Sequence, residues 1–242
     1  MSDRAGPGRL VCLEGIDGAG KTTAATALTA LLCGQGVPAT VIDRGYRFPS
    51  SYVDGHLAGL RRLIWEHPPG DPYLQLGDLH WVHLQAAWYL AVQRCAVAPL
   101  LAAGRVVVVD TWANKFLAKL ALRPGVDLDR VRSSFRDLRA PDLVVRIHID
   151  PQVAAARKPV ITASEAGNHD GVVRGRSQFI DYQHRLAAVL DAMGERAGWQ
   201  VLDGTALTVA LTAAALAAVL RDRFPQLWPS NTPVRRCPGG PT

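Results

Sequence analysis

Residues 15–22 read GIDGAGKT, set between the apolar run LVCLE (10–14) and the alanine-rich stretch TAATALTALL (23–32). A glycine, four residues, then Gly20-Lys21-Thr22 is the spacing with which a chain cradles a nucleotide's phosphates. Glycines allow a turn so tight that successive N–H groups point inward, and the helix that follows adds its positive end. Gly15, Asp17, Gly18, Ala19 and Gly20 form that turn. Lys21 is placed to reach the β- and γ-phosphates of ATP, the Thr22 hydroxyl to ligate Mg²⁺, and Thr23 to touch the α-phosphate. The motif is specific only where it follows a strand and opens a helix, and both flanks here have that character.

Working outward, short apolar runs alternate with helical patterns. LVCLE (10–14), ATVID (39–43), RVVVVD (105–110), DLVVRIHID (142–150) and WQVLD (199–203) read as strands. They are apolar almost throughout, as strands covered on both faces of a parallel sheet are. Helices are expected from Thr22 to about Cys33, near 51–66, along 77–103, and near 127–138, 151–158, 177–196 and 206–223. The expected fold is α/β: a parallel five-stranded sheet of the P-loop NTPase type with helices on both faces, three layers in all. Right-handed crossovers would align the strand C-termini along one edge, where ligands collect.

The 242 residues, 48% hydrophobic and 20% charged, suit one domain over 1–224 followed by an irregular proline-rich tail over 225–242. HPPGDPY (67–73) reads as a rigid turn, and the polar stretch 159–176 as a long loop of functional length. No apolar stretch approaches the roughly 20 residues of a membrane span, and MSDRAGPGRL lacks a signal-peptide core, so a cytoplasmic protein without a membrane partner is expected. Cys12, Cys33, Cys95 and Cys237 are scattered without a CxxC pair, which points to reduced thiols rather than disulfides or zinc. The net charge of +6 comes from arginine, with lysine only at 21, 115, 119 and 158. No basic run interleaved with aromatics is present, so nucleotide phosphates explain the charge better than nucleic acid does.

The stretch LVCLEGIDGAGKTTAATALTALL (10–32) resembles the opening of the thymidylate kinases, in the nucleoside-monophosphate-kinase group. PLLAAGRVVVVD (99–110), PDLVVRIHIDPQVAAARK (141–158) and WQVLDGT (199–205) are similar to later blocks of that family, so the likeness spans most of residues 8–222. It implies ATP and Mg²⁺ as cofactors, with Asp110 at the end of the third strand holding the metal beside Thr22. It places Asp17 opposite the acceptor's sugar hydroxyl, Arg157 or Lys158 over the adenine, and Gly204 in the turn bordering the base. The 159–176 loop falls where the family has its lid, with Arg174 and Arg176 as the arginines that would neutralise charge on the transferring group. If the acceptor is a hydroxyl, Asp17 and Asp110 are the two candidates for general base. Family dimers form through the long helices, so a homodimer is a further expectation.

The chain departs from the family at the acceptor end. After Asp110, where the family has arginine, it has Thr111-Trp112, and the arginine expected on the long helix falls at or near Tyr89. Residues 63–93 contain neither arginine nor lysine, and Lys119-Leu120 stand where a Tyr-Gln pair is expected. Arg44, Arg47 and Lys115 are the candidates to compensate, while Trp81, His83, Trp88, Tyr89 and Trp112 line the region with neutral, largely aromatic groups. A monophosphate needs charged, bidentate partners. The sequence therefore points to an ATP-dependent kinase acting on a hydroxyl of a nucleoside, sugar or natural product, such as an antibiotic intermediate. The alternatives are a genuine dTMP kinase making dTDP, and a non-catalytic nucleotide-binding regulator.

Overall fold

The computed structural model describes residues 7–66, 72–168 and 175–229. Its centre is a parallel sheet of β1 (Arg9–Glu14), β2 (Ala39–Ile42), β3 (Val106–Val109), β4 (Leu143–His148) and β5 (Gln200–Asp203), in the order β2-β3-β1-β4-β5. β1 lies between β3 and β4, with Val11 opposite both Val108 and Leu143. Successive side chains of a strand point to opposite faces. Leu10, Cys12, Val107 and Val109 accordingly enter one core cluster, whereas Val11, Leu13, Val106 and Val108 enter another. Both faces of β1, β3 and β4 are covered, which is why their central residues are apolar in succession rather than at alternate positions.

Helices α1 (Lys21–Gly34) and α9 (Val209–Arg223) cover one face through Leu28, Leu32, Leu216 and Leu220. The other face takes α2 (Ser51–Trp65), α3 (Pro72–Val92) and α4 (Ala98–Ala102), with Leu57, Val82, Trp88 and Leu101 in its core. The remaining helices are α5 (Ala113–Ala121), α6 (Leu128–Ser133), α7 (Pro151–Arg157) and α8 (Arg176–Ala197). The expected three-layer α/β arrangement is therefore present.

Three elements differ from expectation. The helix expected along 77–103 is continuous from 78 to 102, but a π-helical turn at Gln93–Val97 joins α3 to α4 within it, and α3 kinks at Gly77, φ 73°, just where the expected helix begins. The helix expected near 127–138 is α6 alone, started by Asp127, whose side chain accepts from the N–H groups of Asp129 and Arg130, and followed by turns. Helix α5 was not expected at all. Beyond α9, residues 225–227 form a 3₁₀ turn, and the Trp228 indole donates to Gln35 Oε1 at 2.8 Å with Arg221 stacked on its ring. Most of the turn expected at 67–73, Cys237 and the rest of the proline-rich tail lie outside the described residues. Among the described residues, no helix is long and apolar enough to cross a membrane.

Candidate functional site

The GIDGAGKT loop leaves the C-terminal end of β1 and opens α1, whose first residue is Lys21 and whose N-cap is Gly20 at φ 78°. Gly18 has φ 84°, and a Cβ there would lie 2.9 Å from the carbonyl oxygen of Ala154 on α7. An L side chain resists that conformation and has no room there. Lys21 bends back over the loop and donates to the carbonyls of Gly15 and Ile16 at 3.0 and 2.9 Å. Burial lowers its pKa to about 7, helped by the like charge of Lys115 and opposed by Asp17, Asp110 and Glu14.

Thr22 and Asp110 meet at this edge, the Thr22 hydroxyl donating to Asp110 Oδ2 at 2.6 Å. A hydroxyl and a carboxylate oxygen this close form a hard oxygen pair that suits Mg²⁺, which takes its other ligands from phosphates and water. Glu14, fully buried at the end of β1, holds the loop after Asp110 in place. Its Oε2 accepts from the Thr111 hydroxyl at 3.1 Å, and its Oε1 from the Trp112 N–H at 3.3 Å and the Cys12 thiol at 3.4 Å. Burial raises the Glu14 carboxyl pKa, against the pull of Lys21.

Asp17 is held on every side. Its Oδ1 pairs with Lys115 at 2.5 Å, and its Oδ2 with Lys119 at 3.2 Å and the Gln183 side-chain amide at 3.2 Å. Its backbone N–H donates to Gln183 Oε1 at 2.9 Å. Burial disfavours the Asp17 carboxylate, yet Lys115, Lys119 and Lys21 outweigh it and hold the carboxyl pKa well below the usual range. Both lysines stand on α5, four residues apart and so on one face of the helix.

Beside this cluster, Arg44, Trp65, Trp88, Tyr89, Asp110 and Trp112 line a cleft. The Arg44 guanidinium lies 4.5 Å from the Trp65 ring centroid, and Tyr89 meets Trp112 edge-on at 5.2 Å. Arg47 pairs with Asp54 at 3.3 Å and is 79% exposed. On the opposite flank, Arg157 donates to the Thr205 carbonyl at 3.1 Å, and the Gly204 N–H to the His148 carbonyl at 2.8 Å. Arg157, Gly204 and Thr205 thus share one rim. Arg176 donates to the carbonyls of Ala155 and Lys158 at the end of α7, and Arg174 lies outside the described residues.

The structure brings to one edge of the sheet five residues that the sequence singles out separately, Lys21, Asp17, Thr22, Asp110 and Lys115. The sequence does not single out Glu14 or Gln183, although each leaves a signal: an acid ending an apolar strand, and an amide on the apolar face of α8 between Phe179 and Leu186.

No protein-family model matches the chain. A thymidylate kinase of Synechococcus sp. (strain RCC307) is 30% identical over 157 residues, 62% of this chain and 71% of that protein. The chain belongs to the thymidylate kinase family. A thymidylate kinase of Ruegeria pomeroyi is 29% identical over 195 residues, 76% of this chain and 87% of that enzyme. The solved structure of thymidylate kinase from Candida albicans superposes with a TM-score of 0.64 at 17% identity, covering 89% of this chain and 92% of that one. The thymidylate kinase relatives and the shared fold make this protein a P-loop kinase.

Proposed function

We propose that this protein is a dTMP-type nucleoside monophosphate kinase, passing the γ-phosphoryl group of ATP to the phosphate of a pyrimidine nucleoside monophosphate within a single kinase domain over 1–224. The names of its relatives favour this acceptor over the free hydroxyl to which the departures in sequence point. The observation that carries the reading is the clamp on Asp17. A hydroxyl acceptor needs a base to take its proton. Asp17, one of the two candidates, has both oxygens bound by lysines and a lowered pKa, so it accepts protons poorly. A phosphate acceptor arrives already ionised and needs cations instead. Lys115 and Lys119 supply them where the sequence lacks the family arginine after Asp110.

In this scheme the cradle amides and Lys21 hold the β- and γ-phosphates, and Thr22 and Asp110 are the residues that would hold Mg²⁺. The metal, when bound, neutralises phosphate charge and aligns its oxygens. Lys115 lies close enough to Lys21 to depress its pKa, which supports a role for it beside the transferring phosphoryl group. Glu14 keeps Asp110 and Trp112 in register with the cradle. The exposed Arg44 meets the nucleoside, backed by Trp88, Tyr89 and Trp112, which are buried in the core behind it, and Arg157 with Gly204 borders the adenine.

The second reading, a hydroxyl acceptor, rests on that same wall: Trp65, Trp88, Tyr89 and Trp112 are neutral and aromatic, and among the described residues lining the cleft Arg44 is the one cation. ATP consumption with dTMP, dUMP, thymidine and a panel of sugars separates the two. Turnover of dTMP at micromolar concentration is expected, with Lys115→Met raising its KM at least about tenfold, as loss of a charged hydrogen bond does. Phosphorylation of thymidine or a sugar with dTMP inert would overturn the proposal in favour of the second reading. ATP binding without any phosphorylated product would instead leave a regulatory nucleotide-binding protein.

A further inference from the structure

Gln183 is 0% exposed on α8, in a cluster with Phe179, Tyr182, Leu186 and Leu190. A primary amide in such surroundings is costly unless its groups are satisfied. Here they are. Oε1 accepts from the Asp17 N–H at 2.9 Å, and Nε2 donates to the Glu165 carbonyl at 2.7 Å and to Asp17 Oδ2 at 3.2 Å. The orientation is dictated, because a flipped amide would set a donor against the Asp17 N–H and an oxygen against a carboxylate and a carbonyl.

The consequence reaches the lysines. Gln183 and Lys119 share Asp17 Oδ2, which fixes the carboxylate plane and presents Oδ1 to Lys115. The same amide holds the turn at 163–165, which Thr162 caps and which Glu165 ties to Lys158 at 2.9 Å. Lys119 adds a contact to the Ser164 carbonyl at 3.5 Å. One buried side chain therefore joins three segments that are distant in sequence: the cradle, the lysine face of α5 through Asp17, and the turn after α7.

We propose that Gln183 is a positioning residue for phosphoryl transfer, which sets Asp17 and, through it, the Lys115 ammonium, and which fastens the 163–165 turn to the cradle. The kinetic half of this inference rests on the phosphate-acceptor reading above; the structural half does not.

Two variants test it. Gln183→Met keeps the length and bulk but removes both sets of hydrogen bonds. Gln183→Glu keeps the acceptor for the Asp17 N–H but puts a second carboxylate beside Asp17, in competition for the lysines. In Gln183→Met, amide hydrogen exchange is expected to quicken in peptides covering 15–20 and 162–168 and to stay unchanged elsewhere. kcat should fall about ten- to a hundredfold while the KM for ATP moves less than about threefold. Gln183→Glu should lose more activity than Gln183→Met despite its closer shape. Gln183→Met combined with Lys115→Met should be no slower than Lys115→Met alone, since both act through one ammonium. Unchanged exchange in those two peptides, activity lost only in step with the unfolded fraction, or additive effects in the double variant would each overturn the proposal. Wild-type protein inert toward dTMP would strike the acceptor reading alone; the exchange measurement would still decide the role of Gln183.

Discussion

At Lys21, opposing effects meet on one ammonium group. Burial and the neighbouring Lys115 push its pKa down to about 7, while Asp17, Asp110 and Glu14 pull the other way. Phosphate oxygens entering the cradle add negative charge and raise that pKa. Above about pH 7 the empty site is therefore largely neutral at Lys21 and the filled site charged, so binding ATP must take up a proton. Two results follow from the sign. ATP affinity should weaken as pH rises from about 7 to 9, and calorimetric titration near pH 8 in buffers of differing ionisation enthalpy should show up to about one proton absorbed. The uptake should vanish in Lys21→Met, which should also lack turnover while unfolding like the wild type. Proton release, or uptake that survives the substitution, would contradict this account of the site. Asp17 shows the same competition with the opposite outcome, since its three lysine neighbours outweigh burial.

The elements that carry the cradle were legible because their signals are local. LVCLE and GIDGAGKT fix a strand, a turn and a helix start within a few residues, and the valines of β3 could be nothing but a buried strand. Helix α5 was not legible for a physical reason. Its nine residues are too few to be helical alone, and Trp112 gives it no side-chain cap. It forms because Ala113, Phe116, Ala118 and Leu120 are buried against the body, a tertiary fact. The lysines of the acceptor side go with it: from sequence Lys115 is one of three candidates to compensate for the missing arginine, and Lys119 is only a departure from the family. The π turn at 93–97 was hidden likewise, because a single inserted residue leaves an apolar pattern nearly intact. The contact between the cradle and α7 offers a test at this scale. A Cβ on Gly18 would meet the Ala154 carbonyl at 2.9 Å, whereas one on Gly20, with a similarly positive φ, would meet nothing within 4 Å. Gly18→Ala should thus cost about 1–3 kcal/mol and raise the KM for ATP, as strain and overpacking combine. Gly20→Ala should cost only about 1 kcal/mol, from its backbone alone. Urea unfolding and ATP kinetics on both variants check this, and equal losses would mean that the helix contact is immaterial.

Across the whole molecule, two buried charges stand side by side on neighbouring strands, Glu14 of β1 opposite Arg146 of β4, yet each is satisfied elsewhere. Glu14 serves the loop after β3. Arg146 reaches the other way, toward α8, with Nε 2.9 Å from Asp191 Oδ1 and further bonds to the carbonyls of Ile147 and Ala187. Through this pair the sheet holds the helix that carries Gln183, so the site depends on a contact well outside it. The two partners are not equivalent. Arg146 is 1% exposed and Asp191 41%, so removing the acid strands a guanidinium with only carbonyl partners, whereas removing the base leaves a carboxylate that water can solvate. Breaking a fully buried pair costs about 3–5 kcal/mol, and the exposure of Asp191 lowers the expected loss for Asp191→Ala to about 1–3 kcal/mol. Arg146→Met, which keeps the aliphatic stem in the core, should cost under about 1.5 kcal/mol. Adding Arg146→Met to Asp191→Ala should then recover stability rather than lose more, because it removes the stranded charge. Urea midpoints for the two single variants and the double variant decide the matter: a double variant less stable than Asp191→Ala would show that Arg146 contributes through packing and its carbonyl bonds rather than through its pairing with α8.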